Sequence, residues 1–298
     1  MNCRVREIVL IFCCLGLMGC GTPRVSTLDP VIRNYADNAR AAYQSGQPDK
    51  AAEWYGRAME RARLMDAPEE AGRNAYNLAL CRLAMGQPEE AQKLLRQAGL
   101  LLDKPGPVMA RVLVADAEAA RLSGQRATAI KQAESALSHG AERDEIAQAE
   151  LLMAEVYGDQ GDFKAGKGHY LKALRQVSSR TTPLVRARLE AVAVHLIQSG
   201  SMDGDVAACL ARRADWLKAA GDYRHMAESL KAAGEAYAST DRPEQAFPVL
   251  IRASLSLRAA GEGAQALKAA EQAARIARQL GDLDRVDRAT ILMEGLGL

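Results

Sequence analysis

Residues 75–98, AYNLALCRLAMGQPEEAQKLLRQA, spell one helix, a stop and the start of a second helix. On either side of Gly86-Gln-Pro88 the apolar residues fall three and four apart, as on one face of an α-helix. Gly86 can close the first helix in the left-handed conformation, and Pro88 suits the opening turn of the next. Glu89 and Glu90 then complement the positive end of that helix's dipole. Ala79, Ala91 and Ala98, with Leu95 between the last two, stand where the two helices of such a hairpin must cross, and only a small residue leaves room there for close backbone approach.

The same punctuation recurs outward in both directions. Gly46-Gln-Pro-Asp-Lys-Ala51, Gly86-Gln-Pro-Glu-Glu-Ala91, Gly124-Gln-Arg-Ala-Thr-Ala129 and Gly161-Asp-Phe-Lys-Ala-Gly166 begin roughly 37 to 40 residues apart, the period of helical-hairpin solenoids. Gly200, Asp241 and Gly281 continue the series. A second set of breaks falls between them, at Asp66-Ala-Pro68, Asp103 to Pro107, around Gly140, Thr181-Thr-Pro183, Gly221-Asp222 and Gly261-Glu-Gly263. The chain is thereby cut into about fourteen amphipathic helices in seven pairs. Composition agrees: the 298 residues are 48% hydrophobic but only 4% aromatic, rich in alanine and nearly free of the Val/Ile/Thr alternation of strands.

The first nineteen residues stand apart from this pattern. Arg4 and Arg6 precede an apolar stretch from Ile8 to about Met18 that is short for a membrane span, and Leu17-Met18-Gly19-Cys20 follows. The run resembles the lipobox of bacterial lipoproteins; a plain signal anchor is the other reading. The lipobox resemblance implies cleavage before Cys20 and acylation of its thiol with chains such as palmitate. The expected organisation is a signal peptide at 1–19, a lipidated polar leader at 20–29 and a helical solenoid at 30–298. Of six cysteines, only Cys81 and Cys209 remain in the mature body, too far apart in a stacked array to form a disulfide.

The hairpins resemble tetratricopeptide repeats, whose pattern sets small residues at three fixed places. Ala39, Ala51 and Ala58 with Tyr55 fill them in the first unit; Ala154, Gly166 and Ala173, with Tyr157, Phe163 and Tyr170 at the aromatic places, in the fourth; Gly234, Ala246 and Ala253 with Tyr237 in the sixth. The fifth unit departs, since Ser-Met-Asp-Gly-Asp follows Gly200 with no alanine at the expected step, and a longer turn is predicted there. The resemblance implies an all-α, right-handed superhelical solenoid that binds ligands on its concave face with the first helix of each pair. Carried over residue by residue, the groove comprises Arg33, Arg40 and Tyr43, then Arg73, Tyr76 and Leu80, then Arg111, Glu118 and Arg121. This basic set suits an acidic or carboxylate-bearing extended peptide, or is simply a solvated face.

Other chemistries find little support. The formal net charge of +2 comes from acids and bases spread evenly, without the basic stripe that nucleic acid requires. Gly161 to Gly168 nearly spells a phosphate-binding loop, but Gly168 holds the place of the Mg²⁺-ligating hydroxyl and no strand precedes it. His139, His169, His195 and His225 lack a second ligand at one-turn spacing, and are expected on the surface or in the groove. No catalytic residue, metal, cofactor or small-molecule substrate is therefore expected. The lipoprotein resemblance implies a membrane-anchored, protein-binding scaffold of the bacterial cell envelope, similar in layout to pilotins and outer-membrane assembly lipoproteins. Gly21 after the acylated cysteine implies onward transport to the outer membrane, facing the periplasm. An accessory of polysaccharide export, or a repeat-containing enzyme, is the alternative.

Overall fold

The structure, a computed structural model, describes residues 29–296; the signal segment, Cys20 and the leader up to residue 28 lie outside the described residues. Among the described residues there are fourteen α-helices and no strand. They form seven hairpins: α1 (Pro30–Gln44) with α2 (Pro48–Leu64), α3 (Pro68–Ala84) with α4 (Pro88–Leu102), α5 (Pro107–Leu122) with α6 (Arg126–Ser138), and α7 (Arg143–Asp159) with α8 (Phe163–Leu174). The series ends with α9 (Pro183–Gln198) and α10 (Val206–Ala220), α11 (Tyr223–Ser239) and α12 (Pro243–Ala259), then α13 (Gly263–Gln279) and α14 (Leu283–Glu294). Each helix packs on the next in chain order, and in the middle of the stack the first helices α3, α5, α7 and α9 also touch in succession.

The predicted stops operate as the sequence suggests. Gly86 sits at φ 70° and donates its amide to Leu83, while the Gln87 amide reaches the Arg82 carbonyl at 2.9 Å, and Pro88 opens α4. Where glycine is missing, Asp241 takes the same left-handed conformation at φ 54°, a state a short polar side chain tolerates better than most.

The helix crossings are made by the small residues. Ala51, Ala58, Ala79, Ala91, Ala98, Ala246 and Ala253 are wholly buried. At Gly166 even a methyl group would lie 3.0 Å from the Ala154 carbonyl oxygen, and at Gly234 a methyl would come within 2.6 Å of the Leu250 side chain. Around these contacts lie larger side chains that fill the core, among them Leu95, Leu152, Leu196, Leu230 and Leu250.

The fifth hairpin carries the predicted longer turn, residues 199–205 between α9 and α10. Ser201 and Met202 both donate to the Leu196 carbonyl, and the Asp205 side chain caps α10 through the Ala208 amide at 3.2 Å. The small-residue register survives: Ala193, Ala207 and Ala214 are all buried, the first two spaced fourteen apart where Ala79 and Ala91 are spaced twelve. Two extra residues in the turn thus displaced the alanines from the expected step without removing them.

Candidate functional site

The first helices of the central hairpins present a row of side chains to one face. Tyr76 and Leu80 of α3, Val114 and Ala115 of α5 and Gln148 of α7 enclose a hollow of about 210 Å³. Arg111, Glu145 and Gln148 also border a broader hollow of about 770 Å³, formed where the start of α7 meets the connection between α8 and α9. Of the nine groove residues expected from sequence, Tyr76, Leu80, Arg111 and Glu118 line the smaller hollow.

Arg121 joins Glu118 in an ionic cluster that spans three hairpins. Arg188 of α9 donates from Nη2 to Glu118 Oε2 at 2.7 Å and to Glu155 Oε2 at 2.6 Å, and from Nε to Glu155 Oε1 at 2.8 Å. Arg121 Nη2 meets Glu118 Oε1 at 2.5 Å, and its Nε lies 3.4 Å from Glu155 Oε2. Two guanidiniums and two carboxylates therefore cancel. Burial works against the Glu118 carboxylate, but Arg188 and Arg121 outweigh it and hold its pKa at about 2. Burial likewise opposes charge on Arg188, and the Glu155 and Glu118 carboxylates overcome it, so its pKa is raised.

The outer groove arginines are also matched. Arg40 pairs with Asp37 at 3.1 Å, Arg73 with Glu70 at 2.9 Å, and Arg111 Nε with Glu145 Oε1 at 2.8 Å. Arg33 is exposed on α1. The carboxylates beside Arg40, Arg73, Arg111 and Arg121 thus offset much of the basic character expected of this face. Glu155 stands 37 residues after Glu118, one period on, at the matching place in the next hairpin. Tyr43, at the end of α1, has its phenol pKa raised by burial and then by the charges of Cys81 and Asp222.

The remaining candidates have structural roles. Residues 161–162 form the turn into α8 and residues 163–168 its first turns, capped by Asp162 through the Ala165 amide, and Lys167 reaches the Ser201 carbonyl at 2.9 Å. His195 and His225 are exposed, and His169 is half-buried. It lies between α8 and α7, its Nδ1 2.6 Å from Glu150 Oε2 and its ring stacked on Tyr157 at 5.2 Å. Cys81 and Cys209 are buried free thiols in separate hairpins, the former pushed up to about 11 by burial. Among the described residues no group of three His, Cys, Asp or Glu could hold a metal ion, and no helix is long and apolar enough to cross a membrane.

With this geometry in place, solved structures provide the comparison. The Rap protein complexed with Competence and Sporulation Factor superposes with a TM-score of 0.62 at 15% identity, covering 89% of this chain and 74% of that one. The apo quorum sensor NprR from B. thuringiensis gives 0.57 at 14% identity over 89% and 76% of the two chains. The fold is a tetratricopeptide-repeat-like solenoid. A STAND protein from Pyrococcus horikoshii, with a tetratricopeptide repeat sensor, matches at a TM-score of 0.55 and 13% identity over 89% of this chain, which spans 42% of that protein. No family model matches the chain, and no curated protein matches it in sequence.

Proposed function

We propose that this chain is a non-catalytic, lipid-anchored scaffold of the bacterial cell envelope whose concave groove receives an extended segment of a partner protein. The observation that carries the groove assignment is the pair of adjoining hollows, built on helices fixed by packing and by a charge cluster across three hairpins. A rigid row of first helices suits an extended chain, which gains affinity by touching several hairpins at once. The structurally similar Rap protein is complexed with Competence and Sporulation Factor, in keeping with a fold used for capture. The anchor reading rests on Leu17-Met18-Gly19-Cys20, and Gly21 supports an outer-membrane address facing the periplasm.

Two measurements test the parts separately. A photo-crosslinking residue placed at Leu80, in the groove, should trap a partner protein in intact cells, while the same residue at Lys93, exposed on α4, should trap none. Equal yields at both positions would remove the groove from the proposal. Cys20→Ser should move the protein from the membrane to the soluble periplasmic fraction, and continued membrane residence would remove the anchor.

A further inference from the structure

Arg40, Arg73, Arg111 and Arg121 already have carboxylates, but one of those carboxylates is only half used. The Glu145 side chain is 9% exposed, and its Oε1 accepts from Arg111 Nε at 2.8 Å. Its Oε2 is buried and has no hydrogen-bond partner. A buried acceptor without a donor is unfavourable, and such groups are rare unless something else completes them. Glu145 also stands where the two hollows meet, in a wall shared with Arg111 and Gln148. On one side of that wall Tyr76, Leu80, Val114 and Ala115 line the smaller hollow together with the mutually paired Glu118 and Arg188; on the other, the exposed Glu142 and the half-buried Asp144 stand beside Glu145 at the start of α7.

We propose that the segment received by the groove carries a lysine or arginine beside an apolar side chain, the cation completing Glu145 Oε2 and the apolar group filling the hollow against Tyr76 and Leu80. The inference rests on the groove reading above and reverses the sign of charge that the arginines suggest in the sequence. Arg143 and Arg180 also border the broader hollow, but both are exposed, where water screens a charge. Glu145 is buried, where a charge-assisted hydrogen bond is stronger. The half-exposed Arg111 holds Glu145 through one nitrogen only, so it can swing aside as a ligand cation arrives.

The test is a positional-scanning library of soluble octapeptides passed over the immobilised mature chain. The wild type should retain peptides with a basic residue next to an apolar one at least about tenfold over those with an acidic residue there, the scale of one charge-assisted bond. Glu145→Gln, which keeps the shape, should abolish the basic preference and leave the apolar one. Tyr76→Ala should do the reverse. Arg111→Met, which releases Oε1 as well, should raise retention of basic peptides, an increase that a merely structural ion pair would not give. A wild-type preference for acidic peptides, or a basic preference undiminished in Glu145→Gln, overturns this inference and leaves the groove reading standing. If the wild type retains no octapeptide, the groove reading falls and the inference with it.

Discussion

Glu118 shows how single side chains hold the groove together. It is the acceptor for both Arg121 and Arg188, from its own hairpin and from one two units on, and its pKa is held at about 2. The folded value lies below the unfolded one, so the resulting stability is whole above the ordinary value of 4.5 and is lost as pH falls toward 2. The gap sets an upper bound on the order of 3 kcal/mol. Thermal melts should therefore show the wild type losing stability between pH 5 and 2, with Glu118→Gln less stable at pH 7 and the two converging near pH 2. Parallel curves for the two proteins would show that the cluster contributes nothing to acid stability. At this scale helical register alone put Tyr76, Leu80, Arg111 and Glu118 on one face, and they line the smaller hollow. The sequence concealed the pairing, because Arg188 reaches Glu118 across seventy positions of chain and no local pattern marks such a contact.

Between residue and molecule, the hairpin is the unit that the sequence defines. Its stops come from residues with special backbone preferences and its crossings from residues with small volume, and both are local in the chain. For that reason the helices lie where the spacing of Gly, Pro and Asp puts them, from Pro30 to Glu294. The fifth hairpin was harder to read, since two residues added to a turn shift every later small position while leaving the packing intact. The crossings yield a prediction: Ala246→Leu should cost about 1 to 3 kcal/mol in denaturant unfolding, because the wholly buried methyl leaves no room for a larger side chain. An unchanged midpoint would mean that Ala246 does not sit at a tight crossing.

For the whole molecule, stability should be graded along the stack, because each hairpin gains most from its neighbours and the ends have only one. The central first helices touch one another directly and are also tied by Arg188, Glu118 and Glu155. Hydrogen exchange should accordingly be slowest in α5, α7 and α9 and fastest in α1 and α14, and uniform protection would show that the stack opens as one unit. The ion pairs that tie α5, α7 and α9 to one another also have a kinetic consequence. A wall whose helices are held together in this way does not reshape itself around a ligand, so an extended partner orders itself on arrival. Association is then limited by the partner's own ordering more than by collision, and differences in affinity between partner segments appear chiefly as differences in dissociation rate.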